Sequence, residues 1–210
     1  MKKITTLALA AMLAFPPAMA NDVIKLSEPN MNRTTISVMQ AFKNRKSTRE
    51  FSKKNLSLAD LSDLLWAANG VTRADGKRTA PSAMDRRDVD IYVTRADGTY
   101  LYNPNDNTLT PVTATDLRQA VAGRQTSVAD APVALILVSD LDKFGGDAAR
   151  NEKWGAVDAG TVSQNISLFC AAAGLVTVPR GSMDADKIKE ALKLRPGQAL
   201  LLNHPVGYAK

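Results

Sequence analysis

VDIYVTRADGTYLYN, residues 89–103, decides the fold. Val89, Ile91 and Val93 alternate with their neighbours, Ala96-Asp97-Gly98 interrupts, and Thr99 to Asn103 resumes the extended pattern. Apolar residues at period two around a Gly-containing turn read as a β-hairpin. Asn105-Asp106-Asn107 makes a second turn, and a third short strand is expected around Leu109 to Val112. Further on, APVALILVSD (131–140) is an unbroken apolar run with β-branched content, as suits a strand covered on both faces.

Around these strands the period becomes helical. A first helix is expected from Ile36 to Asn44, with Ile36, Met39 and Phe42 or Ala41 on one face. Ser57-Leu58-Ala59-Asp60 resembles a capping box with Asp in place of Glu. Leu58, Leu61, Leu64, Leu65 and Ala68 form the stripe behind it, and Gly70 stops the helix. Residues 114–123 read as helical. A long helix from Trp154 to Ala173 carries Val162, Ile166, Phe169 or Cys170, and Ala173 at helical spacing, and Gly174 closes it. Ala156, Gly160 and Gln164 put small residues on another of its faces, where a second helix could approach closely. A strand at Leu175 to Val178, a helix from Asp184 to Leu194 and a strand from Ala199 to Asn203 complete an α+β chain with a mostly antiparallel sheet wrapped by helices.

The first 20 residues stand apart. Lys2 and Lys3 precede an apolar core from Leu7 to Phe15, and Ala18-Met19-Ala20 is a small-residue cleavage site before Asn21. This is the pattern of a secretory signal peptide, too short to span a bilayer, which needs roughly 20 apolar residues. Expected are a signal peptide at 1–20, an arm at 21–34, one domain at 35–210, and an exported product without a stable membrane anchor. Cleavage would lower the formal charge from +6 to +4, since Lys2 and Lys3 are lost. With acidic and basic residues mixed along the chain, nucleic acid is a poor partner. Arg86-Arg87, between Asp85 and Asp88, reads as a solvated turn.

One Cys and one His rule out an internal disulfide and argue against a thiolate–imidazole metal site; no metal is expected. Cys170 lies in an apolar stretch that suits packing. A hydrolytic triad would rest on His204, for which no nucleophile motif is present. Without such groups, any reaction falls to a bound cofactor.

Three segments offer sites. Arg45, Ser47 and Arg49 alternate, so in an extended segment two guanidiniums and a hydroxyl project from one face, as phosphate recognition requires. On spacing alone, a solvated turn after a helix is the better reading. Pro81-Ser82-Ala83, by itself a loop, precedes the first strand of the hairpin. Val178-Pro179-Arg180-Gly181 ends a buried-looking strand, with a glycine that would admit close backbone approach or simply make a turn.

Together, in this order, the segments resemble the nitroreductase family, which has R-x-S-x-R/K after its first helix, P-S-[SA]-x-N before a strand and a late strand ending in a Gly-containing turn. The resemblance covers about residues 36–208. It is nearest a secreted branch sharing features with the azoline-oxidising dehydrogenases, in which PSA, a D-x-G-x-x-x-Q-N helix (here Asp158 to Asn165) and V-x-R-G recur. It implies a homodimer with FMN in the dimer crevice. Arg45, Ser47 and Arg49 would hold the phosphate or the polar edge of the ring. Ser82, Ala83, Met84 and Asp85 would lie along the flavin, with Pro179, Arg180 and Gly181 on its other side. Lys210 would stand for the family's basic C-terminal contact.

The family's usual Asn is Asp85 here. A carboxylate only accepts hydrogen bonds, and its charge would disfavour a reduced, anionic flavin unless Arg86, Arg87 or Arg180 compensates. The implied activity is ping-pong transfer from a small-molecule donor through flavin to a small organic acceptor, with no catalytic protein side chain. The alternative is a non-catalytic protein that keeps the fold and binds a flavin or another planar heterocycle. Gly70 to Thr79 and Phe144 to Lys153 have the loop character of pocket covers.

Overall fold

The computed structural model describes residues 22–210; the expected signal peptide lies outside them. In chain order the elements are β1 (Ile24–Lys25), α1 (Val38–Asn44), α2 (Leu58–Asn69), β2 (Val89–Arg95), β3 (Gly98–Asn103), β4 (Thr108–Thr113), α3 (Arg118–Ala122), β5 (Val133–Asp140), α4 (Ala148–Ala173), β6 (Leu175–Thr177), α5 (Ala185–Leu192) and β7 (Gln198–Tyr208). The strands form one sheet in the order β1-β4-β3-β2-β5-β7-β6, and every pair is antiparallel.

The apolar run of β5 lies between β2 and β7 and is covered on both sides. Val133, Leu135 and Leu137 face α2 and α4; Ala134, Ile136 and Val138 face α3 and α5. The period-two geometry of a strand thus divides one hydrophobic run between two cores. Leu135, Ile136, Leu137 and Val138 have no exposed surface, and burying each contributes about 1.5–3 kcal/mol.

Local signals set several boundaries. Ser57 caps α2, its Oγ accepting from Asp60 N at 3.0 Å and donating to Asp60 Oδ2 at 2.7 Å. Gly174, at φ 73°, ends α4 in the left-handed conformation that suits glycine.

Other expectations are corrected. The arm 21–34 supplies β1, which pairs with β4, and buries Leu26. The first helix begins at Val38 behind Ser37, and Ala41 is its one buried residue; Met39 and Phe42 are exposed. α3 occupies only 118–122 of the expected 114–123. α4 starts six residues before Trp154, capped by Asp147, whose carboxylate accepts from Arg150 N at 2.7 Å. Phe144 is buried and 148–153 is helical, so 144–153 is not a covering loop. β7 runs through Pro205 to Tyr208, because the carbonyl of Pro205 is taken by Thr177 Oγ1 and the residues beyond it pair with β6.

Candidate functional site

Arg45 is the C-cap of α1, and the chain leaves it extended. Ser47 forms a parallel bridge with Thr177, Thr48 N donates to the Thr177 carbonyl at 2.9 Å, and Ser52 N donates to the Tyr208 carbonyl at 3.0 Å. The segment therefore lies along β6 and the end of β7. Arg45, Ser47 and Arg49 are exposed. Among the described residues no carboxylate pairs with Arg45 or Arg49.

The 178–181 segment follows β6 directly, so the first and third candidate segments are neighbours. Pro179 and Gly181 are exposed. A Cβ at Gly181 would meet only the Leu201 carbonyl, at 3.9 Å, so no internal contact demands glycine there. The side chain of Arg180, between them, turns inward. It is buried and spends its whole fork internally: Nε on Gln125 Oε1 at 2.9 Å, Nη1 on the Val121 carbonyl at 2.8 Å and Asn203 Oδ1 at 3.0 Å, and Nη2 on the Ala122 carbonyl at 2.8 Å and Ser182 Oγ at 3.2 Å. Val121 and Ala122 close α3, where a cation complements the helix dipole. Burial and the neighbouring Arg49 pull its pKa below the usual arginine range.

The 82–85 loop sits elsewhere. Ala83 N donates to Asp158 Oδ2 at 2.8 Å, and Thr161 Oγ1 donates to the Pro81 carbonyl at 3.2 Å, fixing it to the middle of α4. The 45–49 segment lies by Cys170 and Ala171, twelve residues further along the same helix, a rise of about 18 Å. One chain thus gathers 45–49 with 178–181 and leaves 82–85 apart.

The loop is held in an uncommon conformation. Met84, Asp85 and Arg87 have φ of 53°, 53° and 50°, in the left-handed region that costs non-glycine residues roughly 1–2 kcal/mol each. Arg87 N donates to Ser82 Oγ at 2.8 Å, and the Arg87 guanidinium binds the Asp85 carboxylate, holding its pKa below the ordinary range. Arg87 is therefore the compensating cation; Arg180 is not available for that role. A cavity of about 190 Å³ behind the loop is lined by Asn69, Arg78, Ala80, Ser82, Asp158 and Val162, among others.

Sequence reasoning missed Asp88. It is fully buried immediately before β2, not in a solvated turn, and its Oδ2 accepts from Ser139 Oγ at 2.5 Å. That partner stands 51 positions away, and no local pattern announces it. His204 is also fully buried. Thr177 Oγ1 spends its proton on the Pro205 carbonyl at 2.8 Å, so it accepts from His204 Nδ1 at 3.1 Å, leaving Nε2 to accept from Ser163 Oγ at 2.7 Å. With a hydroxyl where a triad has a carboxylate, and pushed down to about 3 by burial, His204 is a packed neutral imidazole. Burial likewise pushes the Cys170 thiol up.

Known proteins agree on the architecture. The Nitroreductase family model matches residues 42–208. A protein of Methanocaldococcus jannaschii named as a nitroreductase is 32% identical over 175 residues, covering 78% of this chain and 86% of its own. A nitroreductase crystal structure from Ralstonia eutropha JMP134 superposes with a TM-score of 0.82 at 34% identity over 90% of both chains. One from Desulfovibrio desulfuricans, solved in complex with FMN, has a TM-score of 0.61 at 22% identity over 84% of this chain and 88% of its own, and speaks for the fold. By family match, relatives and architecture alike, the chain belongs to the nitroreductase family.

Proposed function

We propose that this protein is an exported, homodimeric, FMN-dependent oxidoreductase that passes electrons from a small-molecule donor to a small organic acceptor in ping-pong fashion. The observation that carries the reading is the unpaired state of Arg45 and Arg49, two exposed guanidiniums beside Ser47 on a segment anchored to β6. Such a set fits a phosphate, which accepts paired hydrogen bonds from guanidinium forks.

Exposed surfaces support the dimer. Val38, Met39 and Phe42 on α1 and Val157 on α4 are exposed large apolar residues, and Ala156, Gly160 and Gln164 are exposed on α4. Exposed apolar side chains together with small residues on a helix suit close packing against a second copy. It would also bring the 82–85 loop of one subunit toward the 45–49 and 178–181 segments of the other, joining what about 18 Å of helix separates within one chain.

When bound, FMN supplies the two-electron chemistry. Arg45, Ser47 and Arg49 bind its phosphate or the polar edge of its ring, and the 82–85 backbone and Gly181 border the ring. Arg87 neutralises Asp85, which removes the electrostatic objection to a reduced flavin beside that loop and favours the catalytic reading over a mere binding protein. Export rests on the 1–20 pattern; among the described residues no helix is long and apolar enough to cross a membrane. Because nicotinamide cofactors are cytoplasmic and an unfolded precursor carries no flavin, the flavin is acquired outside and the donor is not necessarily NAD(P)H.

The visible spectrum of the purified protein, with FMN, reductant and a nitroaromatic or quinone acceptor added in turn, tests this. Bound flavin that bleaches and recovers supports the enzyme; bound flavin with no recovery leaves a binding protein; no bound flavin removes the cofactor. N-terminal sequencing of exported protein should begin at Asn21.

A further inference from the structure

We propose that the cavity behind the 82–87 loop is an oxyanion site that takes the carboxylate of a small organic monoacid, with Arg78 as its anchor. That this acid is the donor or acceptor of the flavin rests on the reading above; the binding itself does not.

The segment from Gly70 to Thr79 is a short hairpin that forms one wall of the cavity. Val71 bridges Arg78, Thr72 N donates to the Lys77 carbonyl at 2.9 Å, and Thr79 N donates to the Gly70 carbonyl at 2.9 Å. At its turn Gly76 has a φ of 78°, and a Cβ there would come within 2.7 Å of Arg87 Nη1. Glycine thus serves the turn and lets Arg87 lie against it, where Nη2 donates to the Asp75 carbonyl at 3.3 Å. The hairpin and the 82–87 loop are joined in this way at the cavity, and Asp158 and Val162 of α4 form another wall.

Four cations, Arg73, Lys77, Arg78 and Arg87, and two carboxylates, Asp85 and Asp158, line the space. Two of the cations are satisfied locally: Arg87 by Asp85, and Lys77 by Asp75 at 3.2 Å. Arg73 and Arg78 form no ion pair among the described residues. Against them the lining sets Asp158 alone, whose Oδ2 accepts from Ala83 N at 2.8 Å. The lining is therefore short of one negative charge, which a monoanion supplies and a dianion exceeds.

Arg78 is the least satisfied of these groups. Its Nε is buried without a partner, and its one protein hydrogen bond, Nη1 to the Val89 carbonyl, is long at 3.5 Å. Asn69 Nδ2 already donates to that carbonyl at 3.0 Å. Burial pulls the guanidinium below the usual arginine range, and the acids that act on it, Asp90 and Asp88, are themselves pushed up by burial. A cation withdrawn from water without an anion is costly, and a carboxylate that takes the guanidinium fork removes that cost. At about 190 Å³ the cavity is smaller than the roughly 300–1,000 Å³ of sites for drug-sized ligands, so it does not hold a flavin. Ala80, Val89 and Val162 give it apolar walls, which suit the hydrocarbon part of an organic acid and offer inorganic phosphate nothing.

Benzoate, benzamide and inorganic phosphate, titrated into the flavin-free full-length protein and followed by amide NMR, test the site. Benzoate should shift the amides of Arg78, Ser82 and Val89. It should bind at least about tenfold tighter than benzamide, which keeps the shape and lacks the charge. Arg78→Gln should weaken benzoate by at least about tenfold. Arg78 is partly buried, so Arg73→Gln, at the exposed turn of the hairpin, gives a second reading that leaves the fold intact and should weaken benzoate in the same direction. Benzamide binding as tightly as benzoate, phosphate binding more tightly, shifts confined to the 45–49 segment, or an affinity untouched by both substitutions overturns the proposal. In the FMN-loaded protein, para-nitrobenzoate should show a lower KM than para-nitrobenzamide, and Arg78→Gln should erase the difference. If benzoate binds the flavin-free protein and no such difference in KM appears, the anion site stands and its place beside the flavin falls.

Discussion

Arg87 closes on Asp85 with two parallel hydrogen bonds, Nε to Oδ1 at 3.0 Å and Nη2 to Oδ2 at 2.7 Å, across a turn in which both residues are left-handed. This pairing changes the meaning of the carboxylate at that position. The loop presents a neutralised pair, with Arg87 the one of the three candidate arginines that compensates, and the backbone twist brings residues two apart in sequence face to face.

The first prediction tests that pair. In Arg87→Ala the Asp85 carboxyl should return upward toward the ordinary Asp value, since the hydrogen bonds of Arg87 are the largest cause of its lowering. Carboxyl NMR titration reads this directly. Arg87→Lys should restore only part of the shift, because an ammonium cannot offer the fork. An unmoved Asp85 would show that the pairing is not kept in solution.

Arg45→Ala and Arg49→Ala are expected to weaken FMN binding roughly 10- to 150-fold each, the equivalent of one charged hydrogen bond of about 1.5–3 kcal/mol. Both side chains are exposed and unpaired, so unfolding free energy should stay within about 0.5 kcal/mol of wild type. Retained affinity in both variants would take the segment out of the cofactor site.

Two glycines on α4 should respond in opposite ways. Gly155→Ala drives a methyl into Ser139 and Leu141 and should cost about 1–3 kcal/mol by overpacking. At Gly160 an added Cβ meets nothing within 4 Å, so alanine should stabilise an isolated subunit by up to about 1 kcal/mol through helix propensity. If the exposed face of α4 is the dimer interface, the same methyl should weaken association, as sedimentation at falling concentration would reveal. Stabilisation with unchanged association would move the interface elsewhere.

Elements whose causes are local were legible. The Ser57–Asp60 cap, the Gly174 stop and the Ala96-Asp97-Gly98 hairpin all lie in a few consecutive residues. The start of α4 was not, because Arg150, Glu152 and Lys153 face solvent and leave no apolar rhythm after the Asp147 cap. The candidate site divides the same way. Arg45, Ser47 and Arg49 stand out by alternation, whereas the inward turn of Arg180 depends on carbonyls 58 and 59 residues away. Asp88 fails for a further reason: flanking arginines made it look solvated, and its burial is decided by α4 and β5.

That inward turn yields its own prediction. Arg180→Ala removes donors from two helix-terminal carbonyls, Asn203 and Gln125 in a buried setting, and should destabilise the fold by about 2–4 kcal/mol, given about 1–3 kcal/mol for each group left unsatisfied. Chemical denaturation measures the loss. A fall in flavin affinity without a fall in stability would mean instead that the guanidinium turns outward to the ligand.

Asp88 and His204 should oppose each other in the dependence of stability on pH. Asp88 is raised from 3.8 to about 7, so in that interval the native state holds a proton that the unfolded chain releases, and stability falls as pH rises. His204 is lowered from 6.5 to about 3, so between those values the unfolded chain binds a proton that the native state refuses, and stability is lost as pH falls. From about pH 4 to about pH 6.5 the two slopes cancel, one proton against one. Asp88→Asn removes one side of the balance. Relative to wild type, its unfolding free energy should then climb with pH through that window, and all other titrating groups drop out of the difference. Urea titrations of both proteins at matched pH values give the difference curve. A flat curve would mean that Asp88 is ionised in the folded protein at acidic pH.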